Sequence, residues 1–127
     1  MGNVGQAGFT VLAEDRDGVA VLSPIGDLDL ASAAEFRRSL AHAMSRLDPP
    51  LIVADLQAVD FCDSSGLNAL IWTANTVEAA GGRLALSGIT PRVARLLQIT
   101  GLGKRFRAGD EVKDAAALLP GPGGVRD

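Results

Sequence analysis

LIVADLQAVDFCDSSGLNAL, Leu51 to Leu70, changes character halfway along. LIVADL (Leu51–Leu56) is almost continuously apolar, as a strand covered on both faces should be. Beyond FCDSSGL (Phe61–Leu67) the apolar residues Leu67, Leu70, Ile71, Ala74 and Val77 recur at intervals of three and four. That is the core stripe of a helix, predicted to run to about Ala80 and to stop at Gly81-Gly82. A strand feeding a helix through a short polar turn is the building unit of an α/β fold.

The same grammar extends in both directions. Upstream, FTVLA (Phe9–Ala13) and VAVLSPI (Val19–Ile25) read as strands, and Asp17-Gly18 between them is a hairpin signal, because the turn needs positive φ. A helix is expected from Ala31 to Leu47, with Ala33, Phe36, Leu40, Ala43 and Leu47 on its buried stripe. Asp29 or Ser32 can cap its start, and Asp48-Pro49-Pro50 ends it. Downstream, RLALSGI (Arg83–Ile89) is a further strand. Thr90-Pro91 opens a helix that buries Val93, Leu96 and Leu97 and ends near Gly101. KRFRA (Lys104–Ala108) could form a short strand, and Asp110 is placed to cap a final helix carrying Val112, Ala115, Leu118 and Leu119. The expected fold is therefore α/β: a small mixed sheet, its N-terminal hairpin antiparallel and its later strands parallel, packed with about four helices. One domain is expected over residues 9–119, between a loose arm at 1–8 and a tail at 120–127.

Composition narrows the function. The chain of 127 residues is 47% hydrophobic and 21% charged, which suits a single globular domain able to bury a core without staples. Its net charge is -3 and its basic residues are not gathered in a run, so no nucleic-acid partner is expected. One cysteine, Cys62, excludes an internal disulfide framework and fits a reducing compartment. No apolar run approaches the roughly 18 residues that span a bilayer, and the N-terminus lacks a signal pattern. Met-Gly opens the chain, but Gln6 stands where a myristoylation signal has Ser or Thr. A cytoplasmic protein without membrane contact is expected.

The turn Asp63-Ser64-Ser65-Gly66 admits several readings. Asp63 or Ser64 can serve simply as a helix cap, worth about 1 kcal/mol. A nucleophilic serine would need a base. The one histidine, His42, falls on the polar side of the first helix, and neither Lys104 nor Lys113 has a spacing that points here. G-x-S-x-G is absent, as are the two glycine-rich nucleotide patterns, and Asp63 would repel an incoming phosphate. A phosphate attached covalently to Ser64 is a different matter. At a helix N-terminus the fold tolerates its charge, while a partner docking there would meet it as repulsion. Ser64, Asn68, Trp72 and Asn75 fall on one side of the helix, which would leave Trp72, the sole tryptophan, partly exposed; it either folds under a neighbouring loop or serves as an interface anchor.

Three segments in register carry a family likeness: PIGDLDLASAAEFR (Pro24–Arg37), LIVADLQAVDFCDSSGLNAL (Leu51–Leu70) and GGRLALSGITPRVARLLQITGL (Gly81–Leu102). Together they resemble the STAS domain of bacterial anti-sigma factor antagonists from Phe9 to about Leu119. The resemblance implies a non-enzymatic binding protein in a partner-switching circuit, with no cofactor or metal. It implies that Ser64 is the phosphoacceptor, that an anti-sigma factor serine kinase both binds and phosphorylates the domain, and that a serine phosphatase restores it. It further places Gly26, Asp27, Asp29, Asp63, Ser65, Gly66 and Asn68 at the kinase contact and implies a monomer; Trp72 is added to the candidate contact from its place on the helix. Cys62, Asn68 and Trp72 depart from the residues common in the family at those positions. The remaining alternative is a STAS-like sensor module that binds a nucleotide or small anion.

Overall fold

Asp17 and Gly18 both adopt positive φ, 52° and 84°, in the computed structural model, which describes residues 8–119. They join β1 (Thr10–Arg16) to β2 (Val19–Leu28) as antiparallel neighbours, from the pair Arg16↔Val19 out to Thr10↔Ile25. Both strands run three residues past their expected ends. The arm and tail expected at 1–8 and 120–127 lie, Gly8 apart, outside the described residues.

The chain continues through α1 (Leu30–Met44), β3 (Leu51–Asp55), β4 (Val59–Cys62), α2 (Ser64–Ala79), β5 (Arg83–Ser87), α3 (Pro91–Thr100), a 3-10 turn at Gly103–Arg105, β6 (Arg107–Gly109) and α4 (Val112–Ala116). The sheet order is β1-β2-β3-β5-β6, with β4 paired to the far end of β2, and every pairing after the hairpin is parallel. The mixed α/β architecture with four helices is thus as expected.

Alternate residues of the central strands feed two cores. Ala20, Leu22, Ile52, Ala54, Leu84 and Leu86 pack with Phe36 and Leu40 of α1, Leu70 and Val77 of α2, and Val93 and Leu97 of α3. Val19, Val21, Leu51, Val53 and Ala85 face Ala115 of α4 and Leu119 instead. All five residues of β3 are buried, which is why its sequence is so uniformly apolar.

Some boundaries differ from expectation. α1 ends at Met44, ahead of Leu47 and the prolines. The expected strand at Lys104–Ala108 is a 3-10 turn followed by β6 at Arg107–Gly109. Asp110 does not cap α4: its carbonyl accepts the Gly88 N–H at 3.1 Å, holding it to the sheet, and the helix starts after Glu111, whose N–H donates to Asp114 at 3.1 Å.

β4 is the element that local sequence did not suggest. Its burial runs buried, exposed, exposed, buried, which is neither alternation nor a fully buried strand. The turn before it is tied by the Asp55 carboxylate, which accepts the Gln57 N–H at 3.3 Å, and by the Val59 N–H, which donates to the Leu56 carbonyl at 3.0 Å. These bonds swing the chain from β3 to the projecting end of β2.

Candidate functional site

Because β4 lies parallel to the end of β2, the two segments singled out in the sequence meet. Asp27 pairs with Phe61 and Leu28 with Cys62, so Asp29 and Asp63 emerge side by side from adjacent strands about 5 Å apart. Each caps a helix. Asp29 accepts the Ser32 N–H at 3.2 Å, while the Asp29 N–H donates to the Ser32 hydroxyl at 3.0 Å, a reciprocal capping box. Asp63 accepts the Gly66 N–H at 3.0 Å. The cap of α1 is therefore shared by Asp29 and Ser32, and that of α2 belongs to Asp63, which leaves Ser64 as its first helical residue.

Two glycines shape this corner from below. Gly26 takes φ +114° at a register shift in the β2–β4 pairing, where its N–H donates to the Ala58 carbonyl at 3.0 Å; a Cβ there would run into the carbonyl oxygen of Gly8. A Cβ on Gly66 would strike the Leu28 carbonyl oxygen and reach Cys62 Sγ at 2.9 Å. Gly66 thus lets the first turn of α2 lie directly on the end of β2.

What results is an acidic edge with an accessible hydroxyl. Ser64, Asp27, Asp60 and Asn68 are exposed, Asp29, Asp63 and Ser65 are half-buried, and Gly26 and Gly66 are buried. The N-terminal amides of α2 and its dipole favour an anion at this place, while the surrounding carboxylates oppose an extra negative charge from any incoming group. Cys62 is buried beneath, its pKa pushed up to about 11 by desolvation and, secondarily, by the charge of Asp63, so it stays a neutral thiol. His42 is exposed on α1, well removed in sequence from this edge. Among the described residues no cluster of His, Cys, Asp or Glu could hold a metal ion.

Apolar side chains border the acidic edge that the sequence reading passed over. Leu30, the first residue of α1, is 77% exposed, and Phe61, opposite Asp27, is 42% exposed. Trp72 is 40% exposed, as its helical position implied, and the guanidinium of Arg37 on α1 lies over its ring at 5.6 Å. Leu30 and Phe61 lay in segments assigned to no strand or helix; the pairing of β2 with β4 sets Phe61 opposite Asp27, and Leu30 opens α1 two residues beyond the paired end of β2.

Comparison with known proteins agrees with this fold. The STAS domain family model matches residues 10–115. The anti-sigma-F factor antagonist RsfB of Mycobacterium tuberculosis is 35% identical over 89% of this chain and 91% of its own. An anti-sigma F factor antagonist of Paenibacillus polymyxa is 32% identical, over 84% of this chain and 91% of its own. The crystal structure of an anti-sigma factor antagonist from Mycobacterium paratuberculosis superposes with a TM-score of 0.77, at 29% identity, covering 91% of this chain and 98% of that one. The chain belongs to the STAS domain family, in its anti-sigma factor antagonist branch. These are regulatory proteins and not enzymes, which removes the hydrolase reading of Ser64. No helix among the described residues is long and apolar enough to cross a membrane.

Proposed function

We propose that this chain is an anti-sigma factor antagonist that binds an anti-sigma factor serine kinase when Ser64 is bare and releases it when Ser64 is phosphorylated. The observation that carries the reading is the position of Ser64. It is exposed, at the first position of a 16-residue helix, and the cap and the buried glycine that build the turn are supplied by Asp63 and Gly66. Among the described residues the Ser64 hydroxyl makes no hydrogen bond and the cap of α2 is Asp63, so modification of Ser64 is free to alter the surface alone. A phosphoserine adds close to two negative charges. It would stand beside Asp63 and Asp27, where a docking partner would lose several kcal/mol to repulsion and desolvation. Each 1.4 kcal/mol is tenfold in affinity, so one phosphate suffices to end a complex.

In this reading the acidic edge and the exposed Leu30 and Phe61 are the contact surface, and the kinase must bring its own active site to Ser64. Binding sequesters the kinase and frees a sigma factor; a serine phosphatase resets the antagonist. The likeness to relatives named anti-sigma factor antagonists supports the partner class. The test is direct. Protein from its own cell should carry a phosphorylated fraction that Ser64→Ala abolishes, and Ser64→Ala should retain the anti-sigma factor where Ser64→Asp does not. Equal retention by the two variants would sink the proposal.

A further inference from the structure

Along α2, Ser64 and Asn68 share a side with Trp72, eight residues and about 12 Å from Ser64. The row does not continue openly past Trp72, because Arg105 reaches over to donate to Asn75 Oδ1 at 2.6 Å and to Glu78 at 3.0 Å. At the open end Arg37 stacks on Trp72. Arg38, its neighbour on α1, has Glu35 for a counter-charge at 3.4 Å, and Arg46 has Asp15 at 2.8 Å. Among the described residues Arg37 makes no ion pair and no side-chain hydrogen bond; the ring is its sole partner.

From this arrangement, and resting on the binding role proposed above, we infer that the Arg37–Trp72 stack is a second contact for the anti-sigma factor, taking a carboxylate from it and setting which anti-sigma factor is accepted. Arg37 is half-buried, and its guanidinium over the ring has a fork of N–H donors still to be satisfied. Its one charge is opposite to that of the Asp27–Asp63 edge, so a partner matched to both must place a basic or neutral group at Ser64 and an acidic one two turns away. Such a charge pattern fixes register and rejects partners built differently. A stable interface buries about 800 Å² per partner, more than the Ser64 turn alone offers, and Trp and Arg are the residues most often found carrying its energy. Trp72 lies about 12 Å along α2 from Ser64, more than the Debye length of about 8 Å, so the ring that seats the stack is set apart from the phosphate. Selection and switching are separate.

The test is a calorimetric titration of the purified anti-sigma factor that the wild-type chain retains from its own cell. It is run at two salt concentrations against wild type, Arg37→Ala, Arg37→Glu and Trp72→Ala, with Ser64→Asp as a control for the switch. Arg37→Ala should bind about tenfold more weakly and with a shallower salt dependence, Arg37→Glu more weakly still, and both should melt as wild type does. Affinity within about twofold of wild type for Arg37→Glu overturns the inference, as does a loss that tracks a lowered melting temperature in Arg37→Ala. A self-association of the free protein that Arg37→Glu abolishes would assign the stack to a second copy of the chain and overturn it too. Wild-type affinity in Ser64→Asp would instead defeat the switch, whatever Arg37 does.

Discussion

Gly66→Ala reverses an ordinary expectation. Replacing glycine by alanine inside a helix normally stabilises by about 1 kcal/mol. Gly66 lies in the first turn of α2 and is buried, and the added Cβ would collide with the carbonyl oxygen of Leu28 and meet Cys62 Sγ at 2.9 Å. The carbonyl belongs to the last residue of β2, which is fixed by its pairing with Cys62. Backbone on one side and a buried thiol on the other cannot step aside cheaply. Overpacking costs about 1–3 kcal/mol, and a clash with fixed backbone belongs in the upper part of that range, about 2–3 kcal/mol; less the propensity gain of about 1 kcal/mol, the net loss should be about 1–2 kcal/mol. For a domain of this size that lowers the melting temperature by about 4 °C per kcal/mol. Urea unfolding followed by circular dichroism and by Trp72 fluorescence should show a lower midpoint with an unchanged slope. Gly103→Ala is the control, since a Cβ there meets nothing within 4 Å, and should stay within about 0.5 kcal/mol of wild type. A Gly66→Ala protein as stable as wild type would refute the account of how the first turn of α2, which carries Ser64, is seated on the end of β2.

Other consequences are more local. Asp63→Ala should cost about 1 kcal/mol through loss of the bond to the Gly66 N–H, while Asp63→Asn, which still caps, should cost far less; equal losses would point to the charge and not the cap. Cys62, with its pKa near 11, should be alkylated at pH 8 about a hundredfold more slowly than a free cysteine, and labelling at the free rate would contradict its burial. The raised value also sets a sign: this thiol's contribution to stability is full below its ordinary pKa of 9.0 and is lost as pH rises through about 11, which alkaline unfolding of wild type against Cys62→Ala would register. Phe36→Ala, which empties a fully buried site shared by α1 and the sheet, should cost about 3–5 kcal/mol in the same urea assay.

Much of the fold was written locally. Asp17-Gly18 announced the hairpin because only residues tolerant of positive φ serve there, and Thr90-Pro91 announced α3 through a cap and a fixed φ, with the Val93 N–H bonded to Thr90 Oγ1 at 3.3 Å. β4 was hidden because its four residues are a strand only by virtue of the β2 end they meet, and Gly26 reads as a loop residue until that pairing exists. Asp110 looked like a cap, but local sequence could not reveal the Gly88 N–H that claims its carbonyl. At the site, Asp63 and Ser64 were legible as cap or switch, with the family likeness tipping the balance. Leu30, Phe61 and Arg37 were not, since their exposure and contacts are set by which helices and strands become neighbours.

The central claim is that a phosphate on Ser64 changes whom the protein binds and not how it folds. The most direct test titrates one purified anti-sigma factor with the bare and the singly phosphorylated protein, after showing that both forms melt alike. The account predicts binding by the bare form and affinity at least about a hundredfold weaker for the phosphorylated one. Equal affinity for the two forms, or a loss of binding accompanied by loss of the folded baseline, would contradict it.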